Sequence, residues 1–215
     1  MSNTLKILLS SVLLCFSTSA LAVGDEVQNG GDVIACPSLE VPIYKSLDLY
    51  EGKMVYGLEP ALIQQNDFRV IVSQLIDRIA KFDTTRANLY RSFLRNLSDE
   101  GRMVPGSEFG NIKDEGFITL PEGCSLKQAA GQFQKHTPEG IKYIFNGAIW
   151  NEMKPIPRAA LVMHEFVYRE VLMQKNAPPT SVKVRYFNAF IHSKKMLNSS
   201  NKEYSAAAAF AGLNR

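Results

Sequence analysis

Residues 157–175, PRAALVMHEFVYREVLMQK, carry the reading on which the fold turns. On a helical wheel Ala160, His164, Tyr168 and Val171 share one face, and Leu161, Glu165, Tyr168 and Leu172 the next. Met163, Phe166, Val167 and Met173 cover most of the remainder. A helix that is apolar nearly all round is a buried helix. Pro157 suits its first turn, Lys175 sits well against its C-terminal dipole, and Ala177-Pro178-Pro179 stop it. The rest of the chain must therefore cover this helix, and His164 and Glu165 must be buried with it. Buried ionisable groups find partners, or their pKa shifts until they are neutral. Glu165 and Arg169 are four residues apart in the favourable order for a pair. Glu170 lies on another side and is free to hold a different basic group.

Upstream, the sequence predicts a helix opened by Pro60, with Phe68, Val72, Leu75, Ile76, Ile79 and Phe82 at three- and four-residue steps. Asp83-Thr84-Thr85 offers a cap, and a second helix follows with Ala87, Tyr90, Phe93, Leu94 and Leu97 as its stripe. Its arginines, Arg86, Arg91 and Arg95, read as a solvated face. Ser98 to Asp114 reads as a loop. The period then changes. DVIAC (32–36) and GFITL (116–120) are strand-like, and residues 125–133 read as a strand or an amphipathic helix. IKYIF (141–145), Asn146-Gly147 and Ala148-Ile149-Trp150 read as a hairpin, because Asn-Gly between apolar runs is a strong turn signal. Residues 43–56 contain apolar positions without a clean period. Downstream, Thr180 or Ser181 caps a final helix with Val182, Tyr186, Phe187, Phe190 and Leu197, and residues 199–215 form a polar, then Ala-rich tail. The expectation is one α+β domain over 32–198. It comprises a helical pair, a small antiparallel meander and two C-terminal helices.

The first 22 residues read as a signal peptide. Lys6 precedes a short apolar run, and Ala20-Leu21-Ala22 has small residues where signal peptidase needs them. The run is too short to span a bilayer comfortably. Cleavage leaves a mature chain from Val23, with residues 23–31 as a flexible leader and no further transmembrane segment. The localisation that follows is periplasmic or extracellular. Cleavage removes Cys15 and leaves Cys36 and Cys124, and two cysteines in an exported protein most simply form a disulfide. Such a bridge closes a loop of nearly ninety residues and stabilises by roughly 4 to 5 kcal/mol in the chain-entropy model. Losing Lys6 takes the formal net charge from +3 to +2, too little to argue for nucleic acid or an anionic membrane. The chain is 46% hydrophobic and 21% charged, which excludes a disordered or collagen-like polymer.

No G-x-S-x-G, P-loop, C-x-x-C or dinucleotide fingerprint is present. Ser199-Ser200-Asn201-Lys202 fits S-x-x-K only by count, and Glu108 with Glu115 has no spacing that fixes a carboxylate separation. His136 reads as a surface-loop residue. His164-Glu165 on an apolar helix resembles the active-site helix of zinc metallopeptidases, where two histidines one turn apart bind zinc and the Glu is the general base. Here Tyr168 stands at the second histidine's place, so the motif is broken. A zincin-like reading would use His164 and His192 as ligands and Glu165 as the catalytic base.

A broader resemblance rests on NGGDVIAC (29–36), Gly123-Cys124, Ile149-Trp150, ALVMHEFVYRE (160–170) and RYFNAFI (185–191). Together these are similar to a family of secreted bacterial proteins with no established activity. The resemblance implies that Cys36, Cys124, Trp150, His164, Glu165, Tyr168, Arg169 and Glu170 belong to one shared design. The expectation is an exported, non-catalytic binding or structural module without cofactor. Its partner would be a protein or a cell-envelope component, and His164, Glu165, Tyr168, Arg169 and Glu170 would form a buried polar network. The alternative is a divergent zincin-like hydrolase with zinc.

Overall fold

The computed structural model describes residues 26–27, 31–109, 118–133, 135–174 and 181–213. It runs β1 (Glu26–Val27), β2 (Asp32–Cys36), β3 (Ile43–Ser46), α1 (Leu47–Tyr56), α2 (Phe68–Ala80), α3 (Thr84–Glu100), β4 (Gly101–Val104), β5 (Ser125–Gln128), β6 (Ala130–Phe133), β7 (Tyr143–Asn146), α4 (Gly147–Glu152), α5 (Pro155–Leu172), α6 (Val182–His192), α7 (Lys194–Leu197) and α8 (Asn201–Phe210). The architecture is α+β. The expected signal peptide, most of the leader, Glu115 to Phe117, Lys175 and Ala177 to Thr180 lie outside the described residues.

Helix α5 sits at the centre. Ala159 to Tyr168 is an unbroken buried run, as the all-round apolar pattern demands. Its neighbours are α2, α6, α1, β3 and β6. Two sheets flank it, one in the order β1-β6-β7-β4 and the other β3-β2-β5. The Cys36–Cys124 disulfide forms as expected. It ties the end of β2 to the turn before β5, across 88 residues of sequence.

Several local expectations are corrected. Asn146-Gly147 does not turn a hairpin. The Asn146 side chain accepts a hydrogen bond from the Ile149 amide at 3.3 Å and caps α4. Strand β7 already has β6 on one side and, in parallel, β4 on the other, so a returning strand has no free edge to join. The sheet is therefore mixed rather than a simple meander. Residues 101–104, expected in a loop, supply its parallel edge, and Ile118 to Leu120 are not strand. The ambiguous stretch 43–56 is a strand running straight into a helix, with Ser46 as N-cap. Helix α2 starts at Phe68, capped by Asp67, and not at Pro60. The segment around Pro60 is instead laced to the end of α6: the Ala61 amide bonds the His192 carbonyl at 2.8 Å, and the Lys194 amide bonds the Glu59 carbonyl at 2.8 Å.

The expected polar tail is helix α8. Ser200 and Glu203 form a capping box, and Tyr204, Ala207 and Ala208 are buried. Within the Ser199–Lys202 stretch, Ser200 is the N-cap of this helix. No described helix is long and apolar enough to cross a membrane.

Candidate functional site: the buried polar network around α5

His164 and Glu165 are 1% and 0% exposed. They are consecutive residues on α5, so they point about 100° apart and face different partners. His164 Nδ1 lies 2.8 Å from Asp48 Oδ2. The Asn188 amide donates to the same oxygen at 2.7 Å and to the Ala160 carbonyl at 2.7 Å. One turn along both helices, Arg185 Nε meets Glu51 Oε2 at 2.6 Å. Asp48 and Glu51 are three apart on α1, and Arg185 and Asn188 are three apart on α6, so each pair shares a helix face. The two faces meet where Gly52 lies against Ala189. A Cβ at residue 52 would overlap that of Ala189.

Glu165 turns toward the strands. Its Oε1 accepts the Gly31 amide at 2.7 Å, and its Oε2 accepts Gln132 Nε2 at 3.1 Å. Gly31 can come this close only because it lacks a side chain. A Cβ there would overlap Leu161 Cδ1.

The electrostatics follow from this geometry. Burial alone would push the His164 imidazole down. The charge and hydrogen bond of Asp48 outweigh it and hold the ring up to about 9. Burial works against the Asp48 carboxylate too, yet His164 and Asn188 keep it below its usual range. For Glu165 burial wins. Its pKa is raised in spite of His164 and the Gly31 amide. The core therefore holds an imidazolium–carboxylate pair with a second carboxyl group beside it.

Glu165 and Arg169, spaced for a pair, take different partners. Glu165 takes a backbone amide inside the core, whereas Arg169 reaches Glu100 at 2.5 Å and the Tyr143 hydroxyl at 2.9 Å. The Arg169 guanidinium also lies 4.1 Å from the centre of the Phe93 ring. Glu100 additionally meets the exposed His136 at 3.1 Å. Glu170 does hold a basic group. Arg86 Nε sits 3.0 Å from both its oxygens, and the Tyr90 hydroxyl donates to it at 2.6 Å. Arg86 also bonds Asp83 and the Tyr204 hydroxyl. It is thus a buried junction of α3, α5 and α8, not part of a solvated face.

Tyr168 is fully buried, its ring centre 6.2 Å from that of His164. Burial, then Glu165, pushes its hydroxyl up to about 12. His192 ends α6 at 2% exposure. Burial and the nearby Arg78 push its imidazole down to about 3, so it is neutral. His164 is a charged partner of Asp48, and His192 is a neutral ring near Arg78. Among the described residues, no three His, Cys, Asp or Glu side chains are grouped so as to hold a metal ion.

Sequence reasoning missed Asp48, Asn188, Arg185, Glu51, Gln132 and the Gly31 amide. A signal was present for some of them. Arg185 and Asn188 interrupt the apolar run of RYFNAFI just as His-Glu interrupts that of α5.

Comparison with known proteins returns no match: no family model fits the chain, and no curated protein or solved structure is significantly similar to it.

Proposed function

We propose that the chain is an exported protein of the cell envelope or periplasm that acts as a non-catalytic binding or structural module. In this reading the His164-Glu165 helix is its internal fastening. One observation carries this. His164 and Glu165 are sealed in the core and hold Asp48, Gln132 and the Gly31 backbone from three other segments. Groups arranged this way unite elements distant in sequence, and buried polar groups find such partners. The partner is then recognised on the surface. The signal-peptide pattern and the disulfide both suit an oxidising compartment.

A second reading has one observation in its favour. A carboxylate on His164 Nδ1 is the arrangement that orients histidines bound to metal, and His164 Nε2 has no protein partner among the described residues. On that reading zinc would take His164 and His192, Glu165 would be the general base, and the protein would be a divergent zincin-like hydrolase.

Metal content of the oxidised mature protein, measured by mass spectrometry after zinc loading, separates the two. The module reading expects no stoichiometric zinc, together with a large stability loss in His164→Ala. One equivalent of zinc that vanishes in His164→Ala would overturn it.

A further inference from the structure

Two polar atoms on α5, His164 Nε2 and the Tyr168 hydroxyl, are sealed from solvent and have no hydrogen-bond partner among the described residues. The residues that carry them are 1% and 0% exposed. They stand one turn apart on one face of the helix, with ring centres 6.2 Å apart and ring planes at 59°. Asp48 on Nδ1 keeps the His164 ring charged, so Nε2 also carries a proton and needs an acceptor. A buried N–H of a charged ring left without one costs more than a neutral group in the same place.

We propose that one internal water molecule is bound between His164 Nε2 and the Tyr168 hydroxyl. The chemistry of the two atoms selects water. A metal ion needs a lone pair on Nε2, and an imidazolium has none to give. An anion would accept from the N–H, but it would meet the Asp48 carboxylate across the same ring, and like charges repel strongly in a dry core. Water accepts from the imidazolium and exchanges a second hydrogen bond with the Tyr168 hydroxyl, which both donates and accepts. Two such bonds are the minimum that usually holds a buried water. Tyr168 then has a role at the position where a zinc-binding helix would carry its second histidine: its hydroxyl holds a water instead of a metal. The inference rests on the reading of His164-Glu165 as an internal fastening and adds a member to it.

The test is the crystal structure of the oxidised mature protein grown with zinc in the buffer, with anomalous data at the zinc edge. The same is done for Tyr168→Phe, which keeps the ring and removes the hydroxyl. In the wild type, one water oxygen within about 3.2 Å of both His164 Nε2 and the Tyr168 oxygen is expected, and its density should vanish in Tyr168→Phe. The wild-type map decides by itself whether the water is there. Density in which the two atoms bond each other or another protein group, with no water between them, overturns the proposal. So does a water that stays at full occupancy in Tyr168→Phe. Neither of these results touches the module reading. A zinc peak on Nε2 would overturn both.

Discussion

Replacing Asp48 by Asn removes the charge that holds the His164 imidazolium in the core. The side chain keeps its shape and one acceptor oxygen. His164 is 1% exposed, so solvent does little to screen the pair. Burial pushes the His164 pKa down, and Asp48, helped by the nearby Glu165, more than offsets it, so the pKa rises from 6.5 to about 9, a net effect of about 3 kcal/mol at about 1.4 kcal/mol per tenfold. The sign is fixed by linkage. A histidine whose folded pKa lies above its unfolded value stabilises fully below the unfolded pKa, and that stability is lost as pH rises through the folded one. The contribution should therefore be complete at pH 6 and gone above about pH 9.5.

Urea unfolding of the oxidised protein at pH 6 and pH 9.5 measures this directly. Other groups titrate over the same range. Burial and Arg169 lower the Lys142 pKa to about 8, and a depressed lysine makes the opposite contribution. Subtracting the same pair of measurements on Asp48→Asn removes that background. The variant should be less stable than wild type at pH 6 by about 3 to 5 kcal/mol, the usual cost of breaking a buried pair, and the difference should shrink toward pH 9.5. An Asp48→Asn protein with the full alkaline loss, or one within about 1 kcal/mol of wild type at pH 6, would refute a charged His164–Asp48 pair.

Gly31→Ala should cost about 1 to 3 kcal/mol by thermal unfolding, because the new methyl overlaps Leu161 and disturbs the amide on Glu165. Reducing the Cys36–Cys124 bridge should lower stability in urea by roughly 4 to 5 kcal/mol, and a thiol assay of the denatured, unreduced mature protein should read near zero. Asn146→Ala should cost about 1 kcal/mol and Asn146→Ser clearly less, since Ser caps a helix about as well as Asn without burying a charge; equal losses in both would argue against the cap. Arg86→Ala should cost about 3 to 5 kcal/mol by calorimetry, because it removes the buried guanidinium that pairs with both Asp83 and Glu170.

How much of this was legible differs from residue to residue. The period around His164 announced a buried helix, and the structure has one. The second helix was equally plain, but the role of Arg86 was not. Its helix is amphipathic, and nothing local says that α8 will fold back over that face and bring Tyr204 to the guanidinium. Asn146-Gly147 misled for a related reason. The dipeptide suits both a hairpin turn and a helix start, and the choice fell to the neighbours of β7. The sequence left the partner of Glu165 open, because the helix offers Arg169 four residues on, while the Gly31 amide that it takes comes from 134 residues away.

The amino-acid order alone was enough for properties set by local pattern and by counting. These are the export signal as an expectation, the single pair of cysteines, the central buried helix and the need for partners on His164 and Glu165. The folded chain was needed to say which partners those are: Asp48 with Asn188 for one, Gly31 with Gln132 for the other. The division has a simple cause. Hydrophobic periodicity is written within one helix, whereas a buried charge is satisfied by whichever segment packing brings within 3 Å, and sequence separation carries no trace of that distance.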